Sequence, residues 1–176
     1  GPVSYPLSDK TGARMNKLTG GDCRRCCDIG PLVTKEHRDK VAGYIDIAEK
    51  DGAKVVVDGR GIKVDGEAGG FWLGPTLIDK VPTSSKVYTD EIFGPVLSIV
   101  RVKSYSEGVE LINSSVYGNG TAIFTNDVGA ARRFQHEIEL EMIGINVPIP
   151  VPVACYSFGW WKNSLFVDAR AQCTEG

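Results

Sequence analysis

The sequence predicts an α/β fold in which crossover helices connect a mostly parallel sheet. Three observations carry that expectation. From residue 96 onward, short apolar runs alternate with helical patterns in the order strand, helix, strand, helix, strand, and parallel strands need such crossovers to connect. The stretch Thr34–Lys50 puts Val41, Tyr44, Ile45 and Ala48 on one helical face at i, i+3, i+4 and i+7. The 176 residues are 42% hydrophobic and 24% charged, as in a globular chain long enough to bury a core without disulfides.

Residues 1–29 mix Gly, Ser, Lys and Arg with little apolar period and are expected as loop. Residues 1–27 are set apart as a poorly patterned N-terminal segment, with the patterned domain covering 28–176. Thr34 can cap the first helix, and Asp51-Gly52 ends it because glycine tolerates the left-handed conformation. Lys54–Val57 reads as a strand, and residues 58–74, rich in Gly and charge, as a surface excursion. Pro75–Asp79 and Pro95–Val102 read as strands. Ser104 and Glu107 have the spacing of a capping box ahead of a short helix. Thr121–Thr125 is expected as a strand. Asp127 then caps a helix with Ala131, Phe134 and Ile138 on its apolar face, and Met142–Asn146 is the last strand.

Composition removes several functions. Twenty basic against 22 acidic residues give a net charge of −2, so bulk charge does not draw the chain to nucleic acid. The charge-poor run from Ile143 to Trp161 is long enough to span a bilayer, but Pro148, Pro150 and Pro152 block a continuous helix there, so no membrane association is expected. The same prolines make a stiff extended segment and never fall three apart, which excludes a PxxP ligand. The sequence starts without Met and without a charged-then-apolar leader, the pattern expected of a processed chain or a piece of a longer one. Five cysteines, three of them clustered, fit a reducing compartment better than a disulfide scaffold.

The candidate chemistry is sparse. Cys23-Arg-Arg-Cys26-Cys27 contains one C-x-x-C but no second pair to complete a tetrahedral zinc site, so no metal is expected. Arg24 and Arg25 could favour a thiolate, and a thiol-redox role stays open beside the simpler reading of cysteines in a loop. His37 and His136 both fall on expected helices and read as surface residues. Gly59-Arg-Gly61 has Val64 where a dinucleotide fingerprint needs glycine. Asp90-Glu91-Ile92-Phe93-Gly94-Pro95 sets a carboxylate, a ring and a tight turn just before a strand. That stretch can present a polar handle at a sheet edge, or it can be a turn with a core Phe.

Several motifs together resemble the aldehyde dehydrogenase superfamily. They are Asp28-Ile-Gly-Pro31, Glu91-Ile-Phe-Gly-Pro95, Tyr117-Gly-Asn-Gly-Thr-Ala-Ile-Phe124, and Ser157-Phe-Gly159 followed by Lys162. Gly144-Ile-Asn-Val-Pro-Ile-Pro-Val-Pro152 and Tyr156-Ser-Phe are similar to its methylmalonate-semialdehyde branch. The resemblance runs from about Asp28 onward and points to the C-terminal part of such enzymes, making 28–176 a partial catalytic domain. It implies NAD as cofactor, coenzyme A as co-substrate, a small semialdehyde as substrate, a homotetramer and a mitochondrial setting. It assigns Glu91 to the nicotinamide-ribose hydroxyls, Phe93 to the nicotinamide side, Lys35 to a second ribose contact and Phe158 to the substrate mouth. A carboxylate suits the ribose because it only accepts, and a hydrogen bond to a charged group contributes about 1.5–3 kcal/mol.

The departures matter as well. None of Cys23, Cys26 or Cys27 stands in the family's nucleophile motif, so no catalytic residue is assigned. Glu141, Trp160 and Val167 stand where the family is expected to have glycine, and Cys155 adds to these changes. The expectation is a chain inactive by itself. The alternative is a non-catalytic binding or assembly protein that kept the fold.

Overall fold

The computed structural model describes residues 4–22, 24, 27–64, 69–148, 150–151 and 161–164. The chain divides into two compact units, residues 1–101 and 102–176. Their architecture is α/β, as expected, with two pairs of parallel strands.

The first unit contains α1 (Ser4–Met15), α2 (Lys35–Lys50), β1 (Lys54–Val57), β2 (Thr76–Asp79), α3 (Lys86–Thr89) and β3 (Val96–Ser98). Its sheet runs β1-β2-β3, antiparallel then parallel, with a register shift between Val55 and Val57. Helix α2 begins where Thr34, in extended backbone, accepts a hydrogen bond from the His37 amide, which satisfies one orphan donor of the first turn. It stops at Asp51, and Gly52 follows at φ +83°. The four apolar residues expected on its face are all buried. Tyr44 and Ala48 pack with Ile78 of β2, whose four residues are all buried, and Val41 and Ile45 pack with Leu73.

The N-terminal stretch corrects the sequence reading. Residues 4–15 are helix, not loop. The physical reason is the nature of the buried face, which consists of Ser8 and Gly12, one turn apart and without apolar side chains. A Cβ at Gly12 would meet Val56, Val57 and Leu77 at 3.5–3.7 Å, so the helix packs through its backbone. Arg101 fastens its start. The guanidinium donates to both oxygens of Asp79 at 2.8 and 2.6 Å and to Ser4 Oγ at 2.6 Å, and it lies 3.9 Å from the Tyr5 ring centre. These bonds hold the Asp79 carboxyl below the ordinary carboxylate range. The strand expected over Pro95–Val102 shortens to Val96–Ser98, in register with Thr76–Ile78 of β2.

The second unit contains α4 (Tyr105–Asn113), β4 (Tyr117–Gly118), β5 (Gly120–Ile123), α5 (Val128–Glu137), β6 (Met142–Ile145) and β7 (Trp161–Lys162). Strands β5 and β6 are parallel with α5 between them, the expected crossover. The caps fall where the sequence puts them. Ser104 accepts from Glu107 N, Glu107 accepts from Lys103 N, and Asp127 accepts from Ala130 N. Phe134, Ile138 and Leu140 form the buried cluster, with Tyr105, Val109, Ile112, Ile123 and Ile143 around it. Asn146 ends β6 at φ +56°. Its amide both accepts from Thr125 N and donates to Thr125 O, at 2.9 and 3.0 Å. Among the described residues no helix is long and apolar enough to cross a membrane.

Candidate functional site

The stretch between α3 and β3 is built outward from the core. Tyr44, on the buried face of α2, donates its hydroxyl to Asp90 Oδ2 at 2.9 Å, and Thr89 Oγ1 donates to Oδ1 at 3.0 Å. Tyr44 above all holds the Asp90 carboxyl below its ordinary range. Asp90 therefore anchors the loop and is occupied in doing so. Ile92 turns inward and packs against both core clusters of the first unit. Glu91 and Phe93, on either side of it, turn outward. Phe93 is 72% exposed, so it is not the core residue that spacing alone favours. Among the described residues nothing donates a hydrogen bond to the Glu91 carboxylate.

The outward turn has a backbone cause. Phe93 sits at φ +54°, in a region that L side chains avoid at a cost of about 1–3 kcal/mol. The next residue must be small, because a Cβ on Gly94 would lie 2.5 Å from Val41 Cγ1 on α2. His37 Nε2 lies 2.7 Å from the Phe93 carbonyl oxygen. That bond joins the first turn of α2 to the loop. Lys35, exposed, opens the same turn. The first unit thus exposes Lys35, Glu91 and Phe93. It offers an acceptor-only carboxylate, an open ring face and an ammonium donor, a set suited to a polyhydroxylated ligand with a flat ring.

The remaining candidates fall elsewhere. Phe158, Cys23, Cys26, Cys155, Trp160 and Val167 lie outside the described residues. Asp28, first residue of one of the motifs, closes a loop: its Oδ2 accepts from Thr19 N at 2.9 Å and from Thr19 Oγ1 at 2.8 Å. Cys27 is half-buried beside Gly21, where a Cβ would meet its Sγ at 2.3 Å. Among the described residues no cluster of His, Cys, Asp or Glu could hold a metal ion. His136 is exposed, as read. His37, expected at the surface, is half-buried and bonds a carbonyl 56 positions away, a contact with no signal local to its helix.

Comparison with known proteins gives a consistent result. The aldehyde dehydrogenase family profile matches residues 3–174, so the segment ahead of Asp28 falls inside the match. Malonate-semialdehyde dehydrogenase of Pseudomonas aeruginosa is 55% identical over 175 residues, 99% of this chain and 35% of that protein. An Anopheles gambiae relative is 42% identical over 149 residues, 85% of this chain and 29% of its own, and its name describes an acylating, mitochondrial methylmalonate-semialdehyde/malonate-semialdehyde dehydrogenase. A crystal structure from Sinorhizobium meliloti 1021, described as a methylmalonate-semialdehyde dehydrogenase complexed with NAD, superposes with a TM-score of 0.92 at 43% identity, over 97% of this chain and 35% of that one. The chain thus spans about a third of the length of the relatives it matches.

Proposed function

The chain belongs to the aldehyde dehydrogenase family, and from that premise we propose that it forms part of an NAD-dependent, CoA-acylating oxidoreductase acting on malonate or methylmalonate semialdehyde. The observation that carries the proposal is the outward pair Glu91 and Phe93, set on a rigid core and open to a ligand. Glu91 accepts from the two hydroxyls of the nicotinamide ribose, and Phe93 borders the nicotinamide ring. Lys35 donates to a second ribose oxygen. Phe158 lines the substrate mouth. When bound, NAD supplies the hydride acceptor, and coenzyme A takes the acyl group. This chain's residues supply orientation: two acceptors at fixed spacing hold the sugar, and a ring on one side restricts the tilt of the nicotinamide.

The oxidation also needs a thiolate nucleophile. Cys23, Cys26 and Cys27 do not stand in the family's nucleophile motif, so the chain contributes one wall of the site and turns nothing over unaided. The complete enzyme works as a homotetramer, and the mosquito relative's name favours mitochondria.

Saturation-transfer NMR with NAD tests the wall directly. The ribose protons next to nicotinamide should receive saturation from the chain, and Glu91→Gln should abolish it. Equal transfer in both proteins overturns the assignment of Glu91. A parallel assay of NAD reduction with malonate semialdehyde and coenzyme A should show no turnover, and robust turnover would overturn the wall reading.

A further inference from the structure

We propose that His37 is a positioning residue for Phe93: its Nε2–H holds the Phe93 carbonyl and fixes the left-handed backbone that turns the ring outward beside Glu91. The Phe93 oxygen can only accept, so the nitrogen 2.7 Å away is the donor, and the proton sits on Nε2. The imidazole is itself well placed. It is half-buried in the first turn of α2, and its own amide is taken by the Thr34 cap.

The other non-glycine residues at positive φ show why a lock is needed. Lys80 donates its amide to Asp79 Oδ1 at 2.7 Å. Asn146 is tied through its own amide to Thr125, and Lys162 Nζ reaches Asn113 O at 2.7 Å. Phe93 has no polar side-chain atom with which to do as Asn146 and Lys162 do. Its ring is 72% exposed, so burial does not offset the backbone strain either. The stabilising group has to come from another element, and His37 is the group that reaches it. Asp90, held by Tyr44, and Gly94, pressed against Val41, fix the flanks and leave Phe93 as the point where the loop could turn.

The purpose of the lock, presenting Phe93 to nicotinamide, rests on the function proposed above, but the lock can be tested without NAD. Chymotrypsin cleaves after accessible aromatic residues in segments that open locally. We expect His37→Leu to raise the rate of cleavage after Phe93 by about tenfold at an unchanged melting temperature, because a lost local hydrogen bond favours the open loop. His37→Gln, which keeps a side-chain donor, should return the rate to about twice that of the unmodified chain or less. The ring 15N shifts of neutral His37 should report the Nε2–H tautomer. Equal cleavage after Phe93 in all three proteins, or an Nδ1–H tautomer, overturns the proposal. If His37→Leu melts early, hydrogen exchange of the Val96 amide, which donates to Gly94 O, in His37→Gln and in the unmodified chain decides instead: protection in both supports the lock, and loss in His37→Gln overturns it. A locked loop in a chain whose surface shows no ribose contact would keep this inference and remove the proposed function.

Discussion

The two units of the chain bury their cores to different depths. In residues 1–101, Val41, Ile45, Ala48, Leu77 and Ile78 are completely shielded from solvent, around a three-stranded sheet. In residues 102–176, the buried cluster keeps 4–7% exposure at Phe134, Ile138 and Leu140, and no residue of α4 is buried. Strands β5 and β6 form a parallel pair, an arrangement proteins ordinarily cover on both faces. Here Ile145, Val147 and Val151 line an open groove of about 530 Å³ and are themselves exposed. The difference teaches where geometry is fixed. The candidate surface of Lys35, Glu91 and Phe93 is carried by the unit whose core is closed, so the strained turn at Phe93 has a stiff support.

That contrast can be broken experimentally, starting with the largest effect. Leu77→Ala should cost about 2–5 kcal/mol in urea unfolding, since it empties a fully enclosed site, and Leu140→Ala should cost less. A larger loss at Leu140 would remove the contrast. Asp79→Asn comes next, because it leaves the Arg101 charge without its partner. The pH dependence has a definite sign. The folded carboxyl titrates below its unfolded value of about 3.9, so its stabilisation is complete above that pH and fades as the pH falls through the folded value. Unfolding followed between roughly pH 5 and pH 2 should therefore show a steeper acid loss in the unmodified chain than in Asp79→Asn. Glu137, bonded by Tyr105 and Arg133 at an exposed site of the second unit, should give Glu137→Gln little such difference.

Smaller effects sharpen the comparison. Gly94→Ala drives a methyl group into Val41 and should cost about 1–3 kcal/mol, while also weakening the ribose contact proposed for Glu91. Thr34→Ala and Asp127→Ala each remove one helix cap, one in each unit. Each should cost about 1 kcal/mol, because a cap acts locally and does not depend on core depth. Unequal losses, measured by thermal melting, would show that the units differ in more than burial.

Much of this organisation was legible in the sequence, and the exceptions have physical reasons. Helix α2 announced itself through Thr34, an apolar stripe and Asp51-Gly52. The motif around Glu91 pointed to the candidate surface. Helix α1 gave no signal because a face made of Ser8 and Gly12 has no hydrophobic period. Helix α3 is four residues long, too short for periodicity to show. The outward ring could not be read either. Strict alternation already puts Ile92 opposite its neighbours, but which of them faces the core depends on a positive φ at Phe93, and an aromatic residue does not advertise one. The contact from His37 is set by tertiary structure, since it joins two segments far apart in the chain.

Asn146 carries a consequence for chemical ageing. Its side-chain nitrogen faces the Thr125 carbonyl as a donor. Spontaneous deamidation would replace that nitrogen by oxygen and set two acceptors against each other at the end of β6. The two hydrogen bonds that restrain the amide also keep it from reaching the Val147 nitrogen, the attack through which asparagine deamidates. A stored sample should thus keep Asn146 intact while folded, and unfolding opens a route to its loss that the β-branched Val147 keeps slow.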